Sequence, residues 1–182
     1  GVPQIAASCK LGECIEIGKV AFDWAKKRKN AGWDRRTADT VRGVGCALAM
    51  QGSGIAKVDM ASATLKMNDD GTFNLLVGAT DLGTGSDTIL SQIAAEALGI
   101  PVENIIVYSS DTDMTPFDVG AYASSTTYVS GNAVLDAANK VKASIRRAAA
   151  ALFEIDEELV EVTDGCVKNL QNGKTLTFAE LC

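Results

Sequence analysis

Residues 81–87, with the sequence Asp-Leu-Gly-Thr-Gly-Ser-Asp, combine residue types that can bind a ligand. They separate a strand predicted to end near Thr80 from a helix predicted to begin near Ser86. Gly83 and Gly85 lack a Cβ, so a ligand can approach the backbone closely at both positions. The first N–H groups of a helix have no partner within it and carry a partial positive charge. The pattern therefore predicts a site for an oxyanion, with phosphate as the favoured ligand.

The same segment also fits an ordinary turn between a strand and a helix, with Asp87 complementing the helix dipole. It is not the dinucleotide-binding fingerprint, because Thr88 stands where the third glycine would fall. It also lacks the lysine of a Walker loop. On this segment alone, an anion site and a plain turn are both open interpretations.

A second small-residue segment, residues 120–127, reads Gly-Ala-Tyr-Ala-Ser-Ser-Thr-Thr and leads into a helix predicted from about Ser130 to Leu152. Its four consecutive hydroxyl residues offer short hydrogen-bond donors and acceptors, although Ser and Thr also serve as helix caps. Neither segment holds a general base, an activated nucleophile or a set of metal ligands. Two such segments are typical of a protein that grips one polar anionic cofactor, which then performs the chemistry. The hypothesis requires that both helix starts meet at one cleft.

The composition excludes several classes of function. The 182 residues include 17 Lys and Arg against 23 Asp and Glu, and the net charge of -6 argues against nucleic-acid binding. The sequence contains no histidine, which excludes Ser-His-Asp and Cys-His catalysis and any His-ligated metal within it. The apolar runs are too short to cross a bilayer, so we expect no membrane partner and a cytoplasmic location. Five cysteines without metal-site spacing are expected to be reduced and mainly buried by packing: Cys9, Cys14, Cys46, Cys166 and Cys182.

The hydrophobic pattern predicts an α+β (α/β-like) fold, in which a mixed β-sheet carries two long helices. Strands are expected at 43–50, 58–67, 73–79 and 105–108, with two short strands around Asp164-Gly165, and helices at 16–28, 86–98 and 130–152. Residues 68–71 form a predicted hairpin turn, and Gly99 is expected to end the second helix.

The organisation along the chain predicts two parts. We expect an N-terminal helix and connecting loop over residues 1–41 and an α/β subdomain over residues 42–182. Near the end, Thr177 and Glu180 have the spacing of a capping box, which opens a helix. Because the sequence stops at Cys182, before that helix completes a turn, the pattern favours truncation at the C-terminus.

Several stretches taken together resemble the molybdenum-binding part of the xanthine dehydrogenase and aldehyde oxidase family, the molybdenum hydroxylases. The matching stretches are Arg42-Gly43-Val44-Gly45, residues 81–85, residues 98–105, Asp111-Thr112-Asp113, and residues 123–126 through Gly131-Asn132-Ala133. In order and spacing they cover roughly residues 42 to 151, although no single stretch is specific. The resemblance implies that the fold is a fragment of the molybdopterin-binding domain.

The resemblance also implies which residues hold the cofactor, through backbone N–H groups and hydroxyls. These residues are Gly83, Thr84, Gly85 and Ser86 in the first segment, and Ala123, Ser124, Ser125 and Thr126 in the second. Ala123 matches a small residue near the metal in the family. Thr84 is a departure, because many relatives have Gln between the two glycines, and a shorter hydroxyl replaces the amide. The implied cofactor is molybdenum-molybdopterin, often in its cytosine dinucleotide form in bacteria.

The implied function is cofactor binding within a molybdenum-dependent oxidoreductase that hydroxylates a purine, an N-heterocycle or an aldehyde with water. Its implied partners are the remainder of the molybdenum subunit and iron–sulfur and FAD domains or subunits. The family's catalytic glutamate lies in a downstream motif that this sequence does not contain, so residues 1–182 hold no assigned catalytic residue or metal ligand and are not catalytic alone. The alternative hypothesis is a non-catalytic binding or assembly module that keeps the fold and holds no cofactor.

Overall fold

The computed structural model describes residues 8–29, 39–40, 42–49, 51–52 and 58–182. The chain forms two compact units, Gly1–Met50 and Gln51–Cys182. In the described part of the chain, no helix has both the length and the apolar content needed to cross a membrane.

The first unit contains helix α1, Leu11–Ala21, and helix α2, Trp24–Lys29. The prediction of one helix over 16–28 is wrong, because the chain turns at Asp23, which has a φ of 53°. The buried strand predicted at 43–50 is also wrong, since residues 42–49 are largely exposed and form no strand. An apolar run becomes a strand only when a neighbouring strand takes its backbone hydrogen bonds. The connecting loop predicted before residue 42 lies largely outside the described residues, as does Met50, the last residue of the predicted strand.

The second unit is built on a mixed sheet of three strands: β1, Ala63–Met67; β2, Phe73–Val77; and β3, Ile105–Ser109. β1 and β2 run antiparallel from the Ala63–Val77 pair to the Met67–Phe73 pair, and β2 and β3 run parallel. The hairpin turn between β1 and β2 is confirmed, with Gly71 at a φ of 83°. β1 is shorter than predicted and begins five residues later than residue 58.

Two helices pack against this sheet and close the core. Helix α3, Ser86–Leu98, is the crossover between the parallel strands, and Gly99 ends it in the left-handed conformation as predicted. Helix α4, Gly131–Phe153, packs against α3 and β1, where its alanines allow close approach. The core residues shared by the sheet and both helices are Leu65, Phe73, Leu75, Val77, Ala79, Leu90, Ala94, Leu98, Val134, Ala138, Ile145 and Ala149. The α+β prediction, with a mixed sheet and two long helices, is confirmed.

A second sheet follows α4 and is antiparallel throughout. Its strands are β4, Val160–Thr163, β5, Cys166–Asn169, and β6, Thr175–Thr177. Short 3-10 turns, Val102–Asn104 and Glu157–Leu159, precede β3 and β4.

The last helix, α5, is Phe178–Leu181, and it begins with the predicted capping box. Thr177 Oγ1 accepts from the Glu180 N–H at 3.2 Å, and Glu180 Oε2 accepts from the Thr177 N–H at 2.8 Å. Phe178 packs edge-on against Phe73, with ring centroids 5.8 Å apart, and both side chains are buried. Burial of this one aromatic ring therefore fixes a helix that is too short to be stable by itself.

The expectation that the cysteines are mainly buried is wrong. Cys9, Cys14, Cys46 and Cys182 are exposed, and Cys166 is half-buried. The scattered spacing of the cysteines along the sequence argued against a metal site, but it did not indicate whether their side chains are buried.

The packing of Phe178 yields a stability prediction. Replacing Phe178 with Ala should lower the free energy of unfolding by about 3–5 kcal/mol, because a buried aromatic ring is lost and a cavity remains. Urea unfolding followed by circular dichroism measures this change. The exposed Leu170 supplies the control, since L170A should change stability by less than about 1 kcal/mol. Equal effects of the two substitutions would contradict the assigned packing.

Candidate functional site

The two hydroxyl-bearing segments meet at one cavity in the second unit, here called the cleft. Its volume is about 420 Å³, and its lining residues are Gln51, Leu82, Thr84, Ser86, Ala121, Tyr122, Ala123, Ser124, Ser125, Thr126 and Thr127. One wall is the loop from β2 to α3, and the other is the segment that leads into α4. The predicted convergence of both segments on one cleft is confirmed, whereas their role in holding a cofactor stays a prediction.

Six of the eight predicted site residues line the cleft, and Gly83 and Gly85 do not. Both glycines have positive φ, 87° for Gly83 and 73° for Gly85. An added Cβ would meet no atom within 4 Å at either position. Within this chain, glycine is therefore needed at both positions for the backbone conformation rather than for lack of space.

The carboxylate of Asp81 accepts hydrogen bonds from the backbone of this loop. Its Oδ1 lies 2.8 Å from the Gly83 nitrogen, 2.9 Å from the Thr84 nitrogen and 3.1 Å from the Gly85 nitrogen. Burial acts to raise the pKa of Asp81, but the donated N–H groups outweigh it, and the net pKa lies below its ordinary value. The amides that the sequence suggests for phosphate are thus already paired inside the chain.

Ser86 is the first residue of α3 and lies on the wall of the cleft. Its side chain is only 3% exposed, and its Oγ has no hydrogen-bond partner among the described residues. A buried hydroxyl without a partner costs free energy, so such groups are rare in folded proteins. Because Ser86 also lines the cleft, it is a candidate contact for a ligand.

The second wall has an unusual backbone. Ala123 and Ser124 are consecutive left-handed residues, with φ of 49° and 54°. Each costs about 1–2 kcal/mol relative to ordinary backbone, so surrounding bonds must stabilise the turn. The N–H and Oγ of Ser125 both donate to the Tyr122 carbonyl, at 3.0 Å and 2.8 Å. Gln51 Nε2 donates to Ser124 Oγ at 3.3 Å.

Asp118 holds both ends of this second wall. Its Oδ1 accepts from the Gly120 N–H at 2.8 Å, and its Oδ2 accepts from Ser130 Oγ at 2.9 Å. Residues Thr126–Ser130, between the wall and α4, form a π-helical turn, a feature often found at functional sites. The absence of a Cβ at Gly78 allows residues 116–118 to pack close to the end of β2. A Cβ at this position would overlap the Pro116 carbonyl and lie 2.9 Å from Asp118 Cβ.

Asp118, Gln51 and Tyr122 complete the site and were not identified from the sequence. A hydrogen bond to the Asp59 carboxylate, with burial and the charges of Asp59 and Asp118, raises the pKa of Tyr122 above its ordinary value. A tyrosine phenol is protonated at neutral pH at its ordinary pKa of 10.0, and the raised pKa keeps the Tyr122 phenol protonated to higher pH. An Asp two residues before a Gly is a readable turn signal at Asp118, whereas nothing local marks Gln51.

The cleft is lined by hydroxyls, one amide side chain and backbone atoms together with the apolar side chains of Leu82, Ala121 and Ala123, and no Lys or Arg is among its described lining residues. Across the described ranges, no group of three or more Cys, Asp and Glu is placed to hold a metal ion. A larger cavity of about 540 Å³ lies within the first unit, but its lining is mostly apolar and includes Cys14, Trp24 and Cys46. The cleft is accordingly the better place for a polar ligand.

The fold and the cleft define a domain in which two hydroxyl-bearing loops on a mixed sheet enclose a cavity. The sequence model of the molybdopterin cofactor-binding domain family matches residues 18–182. The chain belongs to this family, as its resemblance to the molybdenum hydroxylases predicts.

Related proteins are molybdenum-binding subunits of oxidoreductases. The chain is 43% identical over 149 residues to the putative xanthine dehydrogenase molybdenum-binding subunit XdhA of Escherichia coli K12, covering 80% of this chain and 20% of that protein. It is 29% identical over 167 residues to the aldehyde oxidoreductase molybdenum-binding subunit PaoC of the same strain, covering 92% of this chain and 22% of that protein. The chain thus spans about a fifth of the length of these relatives.

Solved structures share the fold. The aldehyde oxidoreductase of Desulfovibrio desulfuricans ATCC 27774 matches with a TM-score of 0.56 and 25% identity, covering 96% of this chain and 23% of that one. A Cu,Mo-CO dehydrogenase matches with a TM-score of 0.65 and 29% identity, covering 72% of this chain and 18% of that one. Several relatives are named as subunits or chains of larger assemblies.

The hydrogen bonds to Asp81 predict its titration. Because the ionised form accepts the loop amides, its pKa should lie below the ordinary value of 3.8. The folded-state pKa is depressed, so the contribution to stability is present above the unfolded pKa and is lost as pH falls through the folded one. Carboxyl and amide NMR shifts against pH measure this. The D81N variant cannot ionise at this position, so the pH-dependent shifts at residues 83–85 should disappear in it. An Asp81 pKa at or above 3.8 in the native chain would contradict the assigned hydrogen bonds.

Proposed function

We propose that the cleft binds molybdopterin and that this chain is the cofactor-binding part of the large subunit of a molybdenum hydroxylase. The observation that carries the proposal is the unpartnered Ser86 hydroxyl, buried in the wall of a cleft that two small-residue loops form. Membership of the molybdopterin cofactor-binding domain family supports it.

The cleft suits the cofactor in size and chemistry. Its volume of about 420 Å³ falls in the range of small-molecule sites. A pterin ring carries N–H donors and carbonyl and ring-nitrogen acceptors, which match serine and threonine hydroxyls. Thr84 and Ser86 on one wall, and residues 123–126 on the other, would hold it, with Gly83 and Gly85 setting the turn. The small side chain of Ala123 leaves room beside the ligand.

The bound molybdenum group would supply the redox chemistry, the hydroxylation of a carbon centre with oxygen from water. The residues of this chain would bind the pterin, orient it and exclude water from it. The higher identity to the xanthine dehydrogenase subunit, 43% against 29% for the aldehyde oxidoreductase subunit, favours a purine or related N-heterocycle as substrate.

The finer assignments rest on the family resemblance. The cytosine dinucleotide is the proposed form of the cofactor, and the proposed partners are the rest of the molybdenum subunit and iron–sulfur and FAD subunits or domains. The alternative, a module that holds no cofactor, is favoured by Thr84 and by the internal pairing of the loop amides with Asp81. The unpartnered Ser86 hydroxyl favours the cofactor-binding function.

Substitution of Ser86 tests the proposal directly. In the complete large subunit, S86A should lower molybdenum content about threefold to tenfold, because one hydrogen bond to the cofactor is lost. The cofactor-free protein should keep or gain stability, since an unpaired buried hydroxyl is removed. Elemental analysis per subunit and thermal unfolding measure the two effects.

Ser91 gives the matched control on the same helix. It is 7% exposed, and its Oγ donates to the Thr88 carbonyl at 2.8 Å, away from the cleft. S91A should leave the molybdenum content unchanged and slightly lower stability. Native molybdenum content in S86A would count against the proposal.

Substitution of Gly83 tests whether cofactor loading depends on the conformation of this turn. G83V should abolish cofactor loading and lower stability by about 1–2 kcal/mol, because valine is strained at positive φ and disturbs the turn that positions Thr84 and Ser86. Gly173 has a φ of 75° and equally open surroundings, so G173V should cost similar stability and load normally. Molybdenum content and urea unfolding of both variants measure this, and normal loading of G83V would argue against a ligand at this loop.

A further inference from the structure

We propose that Asp81 is a positioning residue whose carboxylate accepts the backbone N–H groups of residues 83–85, here called the amide nest. The wall of the cleft formed by the loop from β2 to α3 would then receive an uncharged part of the cofactor and not a phosphate. The inference rests on the proposed function of the cleft. Successive backbone N–H groups of a glycine-containing turn before a helix form a natural anion site. Here an oxygen of the chain itself occupies that site, within 3.1 Å of each of three nitrogens.

The loop from β2 to α3 turns its backbone amides toward Asp81 and other residues toward the cleft. The amide hydrogens of Gly83 and Gly85 point to Asp81, and neither glycine lines the cleft. Thr84 and Ser86 do line it. From this loop, Leu82, Thr84 and Ser86 therefore line the cleft, while the backbone donors best suited to a phosphate are already used.

Two carboxylates next to this wall also disfavour a phosphate, although neither Asp81 nor Asp87 lines the cleft itself. Asp87 lies in the first turn of α3, where its Oδ2 accepts from Ser109 Oγ at 3.1 Å and its Oδ1 has no partner among the described residues. With Asp81, it places two carboxylates at the positive end of the helix, where they already satisfy the dipole. No cationic side chain among the described lining residues offsets them.

A neutral heterocycle has the properties that this wall accepts. The Ser86 hydroxyl is both donor and acceptor, so it can pair with a ring N–H, an amino group or a ring carbonyl. Such a ring brings no charge to be repelled by Asp81 and Asp87. The uncharged pterin ring belongs here, and phosphate groups of the cofactor must be held by other segments.

Inorganic phosphate added to the 182-residue chain tests this inference without any cofactor. The backbone N–H signals of residues 83–85 are followed by NMR during the titration. In the native chain they should not respond, because Asp81 occupies the nest. In D81A the nest is open, and these signals should shift with an affinity for phosphate at least about tenfold higher than in the native chain.

Two further variants make the test specific. D81N keeps a carbonyl oxygen that can accept the same bonds, so its three amides should keep near-native shifts and ignore phosphate. Asp111 builds a comparable turn elsewhere, accepting from the Asp113 and Met114 nitrogens at 2.9 Å and 3.2 Å. D111A removes a similar carboxylate without opening this nest, so it should leave residues 83–85 unresponsive.

The outcomes are distinct. A phosphate response of these amides in the native chain, or none in D81A, would overturn the inference. If D81A fails to fold, the D81N variant supplies the test. Native-like amide shifts at residues 83–85 without a phosphate response support the inference, and perturbed amide shifts overturn it.

Cofactor loading supplies the second readout. In the complete large subunit, D81A should lose molybdenum, and the conservative D81N should retain it, whereas equal losses in both would overturn the positioning role.

The two proposals can fail separately. Native molybdenum content in S86A removes the cofactor proposal and leaves the phosphate result standing. Phosphate binding by the native amides removes this inference and leaves the cofactor proposal standing.

Discussion

The carboxylate of Asp81 accepts three hydrogen bonds from the backbone that follows it, and the shape of the cleft depends on these bonds. They hold Gly83 and Gly85 at positive φ in the turn between β2 and α3. That turn fixes where α3 begins and places Ser86 in the cleft wall, where its buried hydroxyl has no partner among the residues that the structure describes. The proposed ligand would supply the missing hydrogen bond.

The opposite wall uses the same device at a different place. Asp118 accepts from the Gly120 N–H and from Ser130 Oγ, and so ties the strained Ala123–Ser124 turn to the start of α4. Both walls are thus irregular loops braced by an aspartate and mounted on a packed core of sheet and helices. These hydrogen bonds order the loops when the chain folds. A ligand that binds later therefore does not have to supply the free energy of ordering them.

This arrangement suits a protein whose ligand performs the chemistry. The cleft includes hydroxyls, an amide and a protonated phenol near carboxylates, groups that suit the binding and orientation of a ligand rather than attack on a substrate. Membership of the molybdopterin cofactor-binding domain family agrees with that division of labour. The chain spans about a fifth of its relatives' length.

The sequence alone determined the features that depend on neighbours along the chain. The hairpin turn before Gly71, the end of α3 at Gly99 and the capping box of Thr177 follow from short-range backbone chemistry, which one local pattern specifies. The meeting of the two loops was also predictable, because both carry small hydroxyl residues at helix starts. Only the tertiary structure decided that residues 42–49 form no strand, and that Asp118 bonds to Ser130. The bonds from residues 83–85 to Asp81 are short-range, like the bond from Gly120 to Asp118, so the sequence contained that signal although it was not used. The bond from Ser130 to Asp118 instead required the fold, because several acceptors compete for one donor and only the folded geometry selects among them.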